Sequence, residues 1–311
     1  MSLFLSASSN VMLCIDLLQG IIFFSLTGLG IWGNTFLFVR YVYTFVMSSE
    51  KKVIDFIIIH LVFSNAIIIY SNGIRDIAPV FRFRNFLGSA GCKTVVYLGR
   101  VARGLSICTT CLLSVVQAMT ISPSTTLWGK LKPRTAWQVL PYLLLCWVIN
   151  LPISSNLLFY VTAVGGVNRS TIRAYGGHCF LLASRHTVRW LFLCLMALRD
   201  VLFQGVMGWS SGHMAFRLYE HHKRVLYLHS SRLVVSSSPE IRATVNILVL
   251  MTCFLFFFWT DFMFSFYLGF MVAHGVALLY VKFFLELGYA VLSPFVLRSR
   301  DGCGAKAQNA H

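Results

Sequence analysis

Long apolar runs separated by short polar and basic segments make up most of this sequence. A helix needs about 20 predominantly apolar residues to cross a hydrocarbon core of about 30 Å. The runs predict seven membrane-spanning helices in a single domain that covers residues 1–311. These spans are predicted at residues 12–39, 54–74, 94–119, 137–161, 190–216, 243–266 and 276–297, with a tail at 298–311. The pattern therefore predicts an all-α membrane protein.

The composition excludes a soluble fold. Hydrophobic residues make up 57% of the chain and charged residues 12%, against about 45 to 50% and about 25% in soluble proteins. The formal net charge is +16, but basic residues in a membrane protein usually mark the edges of the spans and their orientation. We therefore expect membrane lipid as a partner and no nucleic acid.

Three features predict the orientation of the spans. Seven crossings place the two termini on opposite sides, and the loops on the side of the tail carry more Lys and Arg than the opposite loops. The positive-inside rule then predicts a cytoplasmic tail and an extracellular N-terminus. The sequon at Asn168 lies on the less basic side, where it can be glycosylated.

Two of the nine cysteines, Cys92 and Cys179, are predicted to lie in exterior loops or at their edges. An oxidising exterior permits a disulfide between them, and two unrelated thiols are the alternative. Cys108 and Cys111 have a CxxC spacing but fall inside the third span, away from the water that thiolate chemistry needs. We predict no metal site, no cofactor and no catalytic residues.

Several segments carry a resemblance to a known family. The third span contains RGLSICTTCLLSVVQAMTISP at residues 103–123, and LRDVLF, SPEIRAT and SPF follow at residues 198–203, 238–244 and 293–295. These segments resemble type 1 vomeronasal receptors, the pheromone branch of the G-protein-coupled receptors. The resemblance implies a rhodopsin-like seven-helix bundle in the plasma membrane of sensory neurons. It also implies a small pheromone or odorant as ligand and a heterotrimeric G protein of the Gi/o type as partner.

The third span departs from the pattern of most rhodopsin-like receptors. Val116-Gln117-Ala118 stands where most of them carry Asp-Arg-Tyr, so we expect the inactive state to be held without an arginine switch. Type 1 vomeronasal receptors share this departure. Bitter-taste receptors also lack the switch and are the alternative, while a transporter or channel is a further alternative that usually shows internal repeats.

Charged residues inside the spans are costly and need a partner or a function. We predict an outer-half ligand pocket lined by Arg100, Arg103, Asp200, Asp261, Lys282 and Glu286. The alternatives are a structural ion pair for Arg103, snorkelling to water for Arg100 and an ion pair within the seventh span between Lys282 and Glu286. As sequence neighbours, Arg199 and Asp200 point to different helix faces. We therefore expect no mutual neutralisation, and a partner on the third or sixth span for at least one of them.

The cytoplasmic side carries a second set of candidate residues. We expect these residues to face the G protein or anionic lipid head groups: Gln117, Lys130, Lys132, Arg134, His221, His222, Lys223 and Arg224. Pro152 and Pro294 each remove a helical hydrogen bond and are the predicted helix pivots.

Overall fold

The computed structural model describes residues 2–48, 51–80, 88–122, 132–163, 172–173, 179–182, 186–228, 239–270 and 276–308. Eight α-helices lie within these ranges. They are α1 (Ser2–Met47), α2 (Val53–Val80), α3 (Ser89–Ile121), α4 (Leu140–Ser154), α5 (Asn156–Tyr160), α6 (His186–Leu228), α7 (Pro239–Phe270) and α8 (Val276–Gln308). A 3-10 turn at Ala136–Gln138 precedes α4.

Six segments of the described chain are long and apolar enough to cross a membrane. They are Gly20–Met47, Val53–Ile74, Ser89–Ile121, Ala136–Tyr160, Trp190–Glu220 and Leu248–Ser265. The seventh predicted span falls in α8, whose 33 residues are sufficient in length but include Lys282 and Glu286. Because α8 packs against α1, α2 and α7, it completes a seven-helix bundle.

The bundle packs around α3. This helix contacts α2, α4 and α6, while α7 contacts α6 and α8, and α1 contacts α2 and α8. Close approach of α1 to α8 depends on Gly33, where an added Cβ would lie 3.1 Å from Cβ of Pro294. In the main core, the Phe254 and Tyr289 rings meet at 4.1 Å between centroids, which joins α7 to α8.

Several helices extend beyond the predicted spans. The helix of the first span begins at Ser2 instead of residue 12. The helix of the fifth span ends at Leu228 instead of residue 216, and that of the seventh span ends at Gln308 instead of residue 297. Residues 298–308 of the predicted tail are therefore helical. Hydropathy marks the part of a helix that crosses lipid, whereas backbone hydrogen bonds continue into polar sequence on either side.

The fourth span is not the single helix predicted at residues 137–161. It begins as the 3-10 turn, where Thr135 and Gln138 form a capping box, and it breaks at Ser155 between α4 and α5. Pro152 lies in the last turn of α4, and the backbone N–H of Ser155 donates to the Pro152 carbonyl at 3.1 Å. This tight turn ends α4, and the chain becomes a strand at Val161.

A small antiparallel sheet lies at the N-terminal end of α3. Strands β1 (Val161–Ala163), β2 (Ile172–Arg173) and β3 (Cys179–Leu182) are arranged in the order β1-β3-β2. Cys179 forms a disulfide with Cys92 at the start of α3, with 5.5 Å between the two Cα atoms. Both cysteines are buried with Val96 and Leu157, so the sheet is fixed to the N-terminal end of α3. Asn168 lies outside the described residues.

Candidate functional site

Arg103 joins α3 to α7 inside the bundle. It lies 14 residues after Ser89, about 20 Å along the helix at 1.5 Å per residue. Its guanidinium forms an ion pair with Asp261, whose side chain is 2% exposed, and lies over the Phe258 ring at 5.5 Å from the centroid. Both of these partners are on α7, and the Arg103 side chain itself keeps 13% exposure. The pair therefore connects the interior face of α3 to the sixth span.

Arg199 and Asp200 pair with each other, against the expectation from their position as neighbours. The Arg199 Nε and Nη2 atoms donate to Oδ1 of Asp200 at 2.8 and 2.6 Å. The prediction was wrong because the long arginine side chain reaches around the helix surface to its neighbour. Asp200 also has the expected neighbour on the third span, since its Oδ2 lies 4.0 Å from Nη2 of Arg103.

Asn150 connects α4 to this group of charges. Its Oδ1 accepts a hydrogen bond from Arg199 Nη1 at 2.8 Å, and its Nδ2 donates to the Cys146 carbonyl at 2.7 Å. Asn150 is fully buried, and sequence reasoning missed it. The fourth span has no charged residue and only two asparagines, Asn150 and Asn156, and these were the available signal.

Gly104 makes room for these hydrogen bonds. A Cβ at this position would overlap the Asn150 amide and would lie 2.5 Å from Nη1 of Arg199. Something would have to shift, and both side chains are held by hydrogen bonds inside the bundle. The absence of a side chain at residue 104 is therefore what lets α4 and α6 place their polar groups against α3.

Lys282 and Glu286 form an i, i+4 ion pair on α8, with 3.8 Å between Nζ and Oε1. Their side chains are 17% and 15% exposed, and both charges lie within electrostatic range of Asp261. We call the six side chains on α3, α6, α7 and α8 the ionic cluster. Its members are Arg103, Arg199, Asp200, Asp261, Lys282 and Glu286.

Arg100 lies one turn outside the ionic cluster. It shares a face of α3 with Arg103, is partly exposed, and makes no ion pair with a side chain that the structure describes. The predicted pocket residues are thus brought to one region of the bundle. Asp200 and Asp261 are buried in ion pairs, whereas Arg100, Arg103, Lys282 and Glu286 keep exposed surface. A ligand role for these residues stays a prediction.

A polar network lies deeper in the bundle, and the sequence analysis missed it. Asn65 on α2 donates to Ser293 Oγ on α8 at 2.9 Å and accepts from Ser106 Oγ on α3 at 2.8 Å. Thr110, one turn further along α3, lies 3.3 Å from the Tyr289 hydroxyl on α8. These hydrogen bonds connect α2, α3 and α8, which makes the geometry of α8 dependent on that of α3.

His60 connects α2, α3 and α4 through both ring nitrogens. Trp147 Nε1 lies 3.0 Å from His60 Nε2, and Thr109 Oγ1 lies 2.9 Å from His60 Nδ1. Indole N–H can only donate, so Nε2 is the acceptor and Nδ1 carries the proton. The two hydrogen bonds therefore fix the neutral ring in one tautomer.

The predicted cytoplasmic residues divide into exposed and buried groups. Lys132, Arg134 and Lys223 are exposed. Gln117 is 2% exposed, and its amide has no hydrogen-bond partner in the described structure, because it lies on the inner face of α3. The side chain of Gln117 therefore does not reach the surface of the bundle in this conformation. Lys130 and the side chains of His221, His222 and Arg224 lie outside the described residues.

Comparison with known proteins assigns the chain to a family. The model of the vomeronasal organ pheromone receptor family matches residues 18–303. This chain belongs to that family. The assignment favours the vomeronasal interpretation over the bitter-taste alternative, and it confirms the resemblance found in the third span.

Individual relatives support the assignment along the chain. Vomeronasal type-1 receptor 4 of Homo sapiens is 31% identical over 89% of this chain and 92% of its own length. Vomeronasal type-1 receptor 90 of Rattus norvegicus is 34% identical over 74% of each chain. Among solved structures, squid rhodopsin matches with a TM-score of 0.68 and 16% identity, over 90% of this chain and 77% of its own. This match confirms the rhodopsin-like seven-helix fold of this vomeronasal receptor.

Proposed function

We propose that this vomeronasal receptor binds a small organic molecule between the outer halves of its helices and activates a heterotrimeric G protein of the Gi/o type. In the proposed arrangement, the receptor lies in the plasma membrane of a chemosensory neuron, with its N-terminus outside and its tail in the cytoplasm. The observation that carries the proposal is the ion pair between Arg103 and Asp261, which links α3 to α7 inside the bundle.

The ionic cluster gives a ligand a route to the helices that must move. Arg103 is paired with Asp261 but keeps 13% exposure, so a ligand between the outer halves of the helices could reach it. A ligand that changes the position of this guanidinium changes its attraction to Asp261 and its stacking on Phe258, both on α7. The contact supports a coupling between ligand binding and the position of the sixth span.

Activation then follows from differential binding. A ligand shifts the population of two receptor states only by its difference in affinity for them. Without an arginine switch at Gln117, we propose that the ionic cluster and the polar network around Asn65 hold the inactive arrangement. A ligand that prefers the rearranged cluster favours an outward position of the cytoplasmic end of α7.

The cytoplasmic face is the proposed site of G-protein contact. Lys132, Arg134 and Lys223 are exposed there, and Lys130, His221, His222 and Arg224 belong to the same proposed surface. Gln117 is buried, so it would meet the G protein only after the helices separate. Pro152, beside the break at Ser155, and Pro294 within α8 are the proposed pivots.

Ligand-driven G-protein activation tests this proposal. Cells that express the full chain with a Gi/o dissociation sensor are exposed to panels of volatile and steroid-like molecules. We expect at least one molecule to activate the sensor, and pertussis toxin to abolish the response. A response that survives the toxin, or ion flux without G-protein activation, would contradict the proposed coupling. The variant Cys92→Ala, with surface expression measured in parallel, is the control for a correctly folded outer region.

A further inference from the structure

Two buried cysteines that the proposed function does not use, Cys108 and Cys146, face each other between α3 and α4. Gly104 on α3 lies against Asn150 on α4, where an added Cβ would be 2.7 Å from the amide carbon. Cys108 follows Gly104 by one turn of α3, and Cys146 precedes Asn150 by one turn of α4. The pair therefore lies beside the point where a missing side chain lets the two helix backbones approach closely.

Hydrogen bonds show that the two thiols are in contact. Asn150 Nδ2 donates to the Cys108 sulfur at 3.5 Å and to the Cys146 carbonyl at 2.7 Å. The thiols of Cys108 and Cys146 are also hydrogen-bonded to each other. Their side chains are only 1% and 6% exposed, so the packing of α3 against α4 holds the two sulfurs together.

Cys111 is not part of this contact, although it has a CxxC spacing with Cys108. Cys111 belongs to the main core with Leu113, whereas Cys108 and Cys146 share a separate buried cluster with Leu105. A disulfide requires two sulfurs that can approach to about 2 Å without a movement of the backbone. Among the free cysteines that the structure describes, Cys108 and Cys146 are the two whose thiols meet across a helix interface.

We propose that Cys108 and Cys146 are a redox-active thiol pair, which hydrogen peroxide oxidises to a disulfide between α3 and α4. Peroxide is small and uncharged, so it can enter a bundle that excludes larger or charged oxidants. Cys108 reacts first, because the Asn150 N–H stabilises negative charge that develops on its sulfur.

The chemistry takes two balanced steps. The Cys108 sulfur attacks one peroxide oxygen, an S–O bond forms, the O–O bond breaks, and the thiol proton leaves with the released hydroxide as water. The Cys146 sulfur then attacks the sulfur of this sulfenic acid, the S–O bond breaks, and a second water leaves. Two thiols and one peroxide thus give one disulfide and two waters.

The disulfide would fix α3 to α4 beside the ionic cluster. Asn150, one turn from Cys146, accepts a hydrogen bond from Arg199 Nη1 at 2.8 Å. A covalent bond at this level prevents α3 and α4 from separating there and constrains the unfolded chain. The oxidised receptor should therefore be more stable than the reduced receptor.

The test uses the purified full chain in nanodiscs of phosphatidylcholine, treated with hydrogen peroxide and then denatured, alkylated and digested. We expect mass spectrometry to find peptides joined through Cys108 and Cys146, which reduction separates, and the number of alkylated thiols to fall by two. The same treatment should raise the melting temperature of the receptor. Cys111→Ser, which removes a buried thiol three residues from Cys108, is the matched control and should form the same bridge.

Cys146→Ser should form no bridge and show no rise in melting temperature, and dimedone should label Cys108 as the trapped sulfenic acid. Oxidation of the exposed Cys194 alone, with Cys108 and Cys146 both still alkylated, would overturn the inference. A bridge between Cys108 and Cys111 would overturn it as well, and so would an equal rise in melting temperature in Cys146→Ser. Peptide mapping of the unsubstituted chain decides the pairing even if a variant fails to fold. None of these measurements needs a ligand or a G protein, so their outcome is independent of the proposed function.

Discussion

Arg103 and Arg199 each meet a carboxylate inside the bundle, at depths where charge is expensive. Arg199 is held by Asp200 and Asn150, and Arg103 by Asp261. Breaking a buried ion pair by removing one partner is strongly destabilising, because the other charge remains buried without compensation. Hydropathy located these charges in the spans, but their partners depend on helix packing. In particular, Asn150 is a neutral residue in an apolar span, so hydropathy gives no indication of its hydrogen bond with Arg199.

Arg103→Gln should destabilise the receptor by about 3 to 5 kcal/mol, since it leaves Asp261 buried and unpaired. The double variant Arg103→Gln/Asp261→Asn removes both charges and should be more stable than Arg103→Gln alone. Thermal unfolding of the purified receptor in one detergent measures the difference. Arg134→Gln is the matched control, and a double variant less stable than the single variant would contradict the buried pair.

Gly104→Ala should prevent correct assembly of α3 with α4 and α6, because the new methyl group overlaps the Asn150 amide. Surface expression of a tagged receptor measures this, and we expect a large loss. Gly208→Ala is the matched control on α6, where an added Cβ meets nothing within 4 Å. Equal surface expression of the two variants would contradict the prediction that the close contact at Gly104 is needed for assembly of α3 with α4 and α6.

The ends of individual helices are set by local turns, capping and tertiary contacts, so they do not coincide with the ends of the apolar runs. The break in the fourth span follows from Pro152 and the turn at Ser155, while α6 and α8 continue through polar sequence to Leu228 and Gln308. The predicted spans located the apolar centres of these helices, because lipid requires such runs. Their ends depend on capping and on tertiary contacts, which the hydropathy pattern does not contain.

The disulfide joins strand β3 to the start of helix α3. It closes a separation of 87 residues between Cys92 and Cys179, for which chain entropy predicts a contribution on the order of 4 kcal/mol. Cys92→Ser should lower thermal stability, and the double variant with Cys179→Ser should be no less stable than the single one. Cys194→Ser, at an exposed free cysteine, should have little effect. A further loss in the double variant would contradict the pairing.

At the scale of the whole molecule, seven helices and the vomeronasal receptor family could be predicted from the sequence. The apolar runs mark six spans clearly, while the seventh, which contains Lys282 and Glu286, needed the resemblance carried by the third-span signature. The ring of contacts from α1 to α8 and the polar network around Asn65 could not be predicted. They join residues far apart in the chain. Neither the hydrophobic period nor the residue spacing within one span indicates which residues of two different spans are in contact.

The orientation of the bundle depends on α8, the helix that carries Lys282 and Glu286 and is not among the six apolar spans. If α8 crosses the membrane, the two termini lie on opposite sides. The direct measurement is antibody labelling of intact and permeabilised cells that express the chain with a different epitope at each terminus. We predict that intact cells label only at the N-terminal epitope and that the C-terminal epitope requires permeabilisation. Labelling of both epitopes, or of neither, in intact cells would contradict a receptor of seven spans.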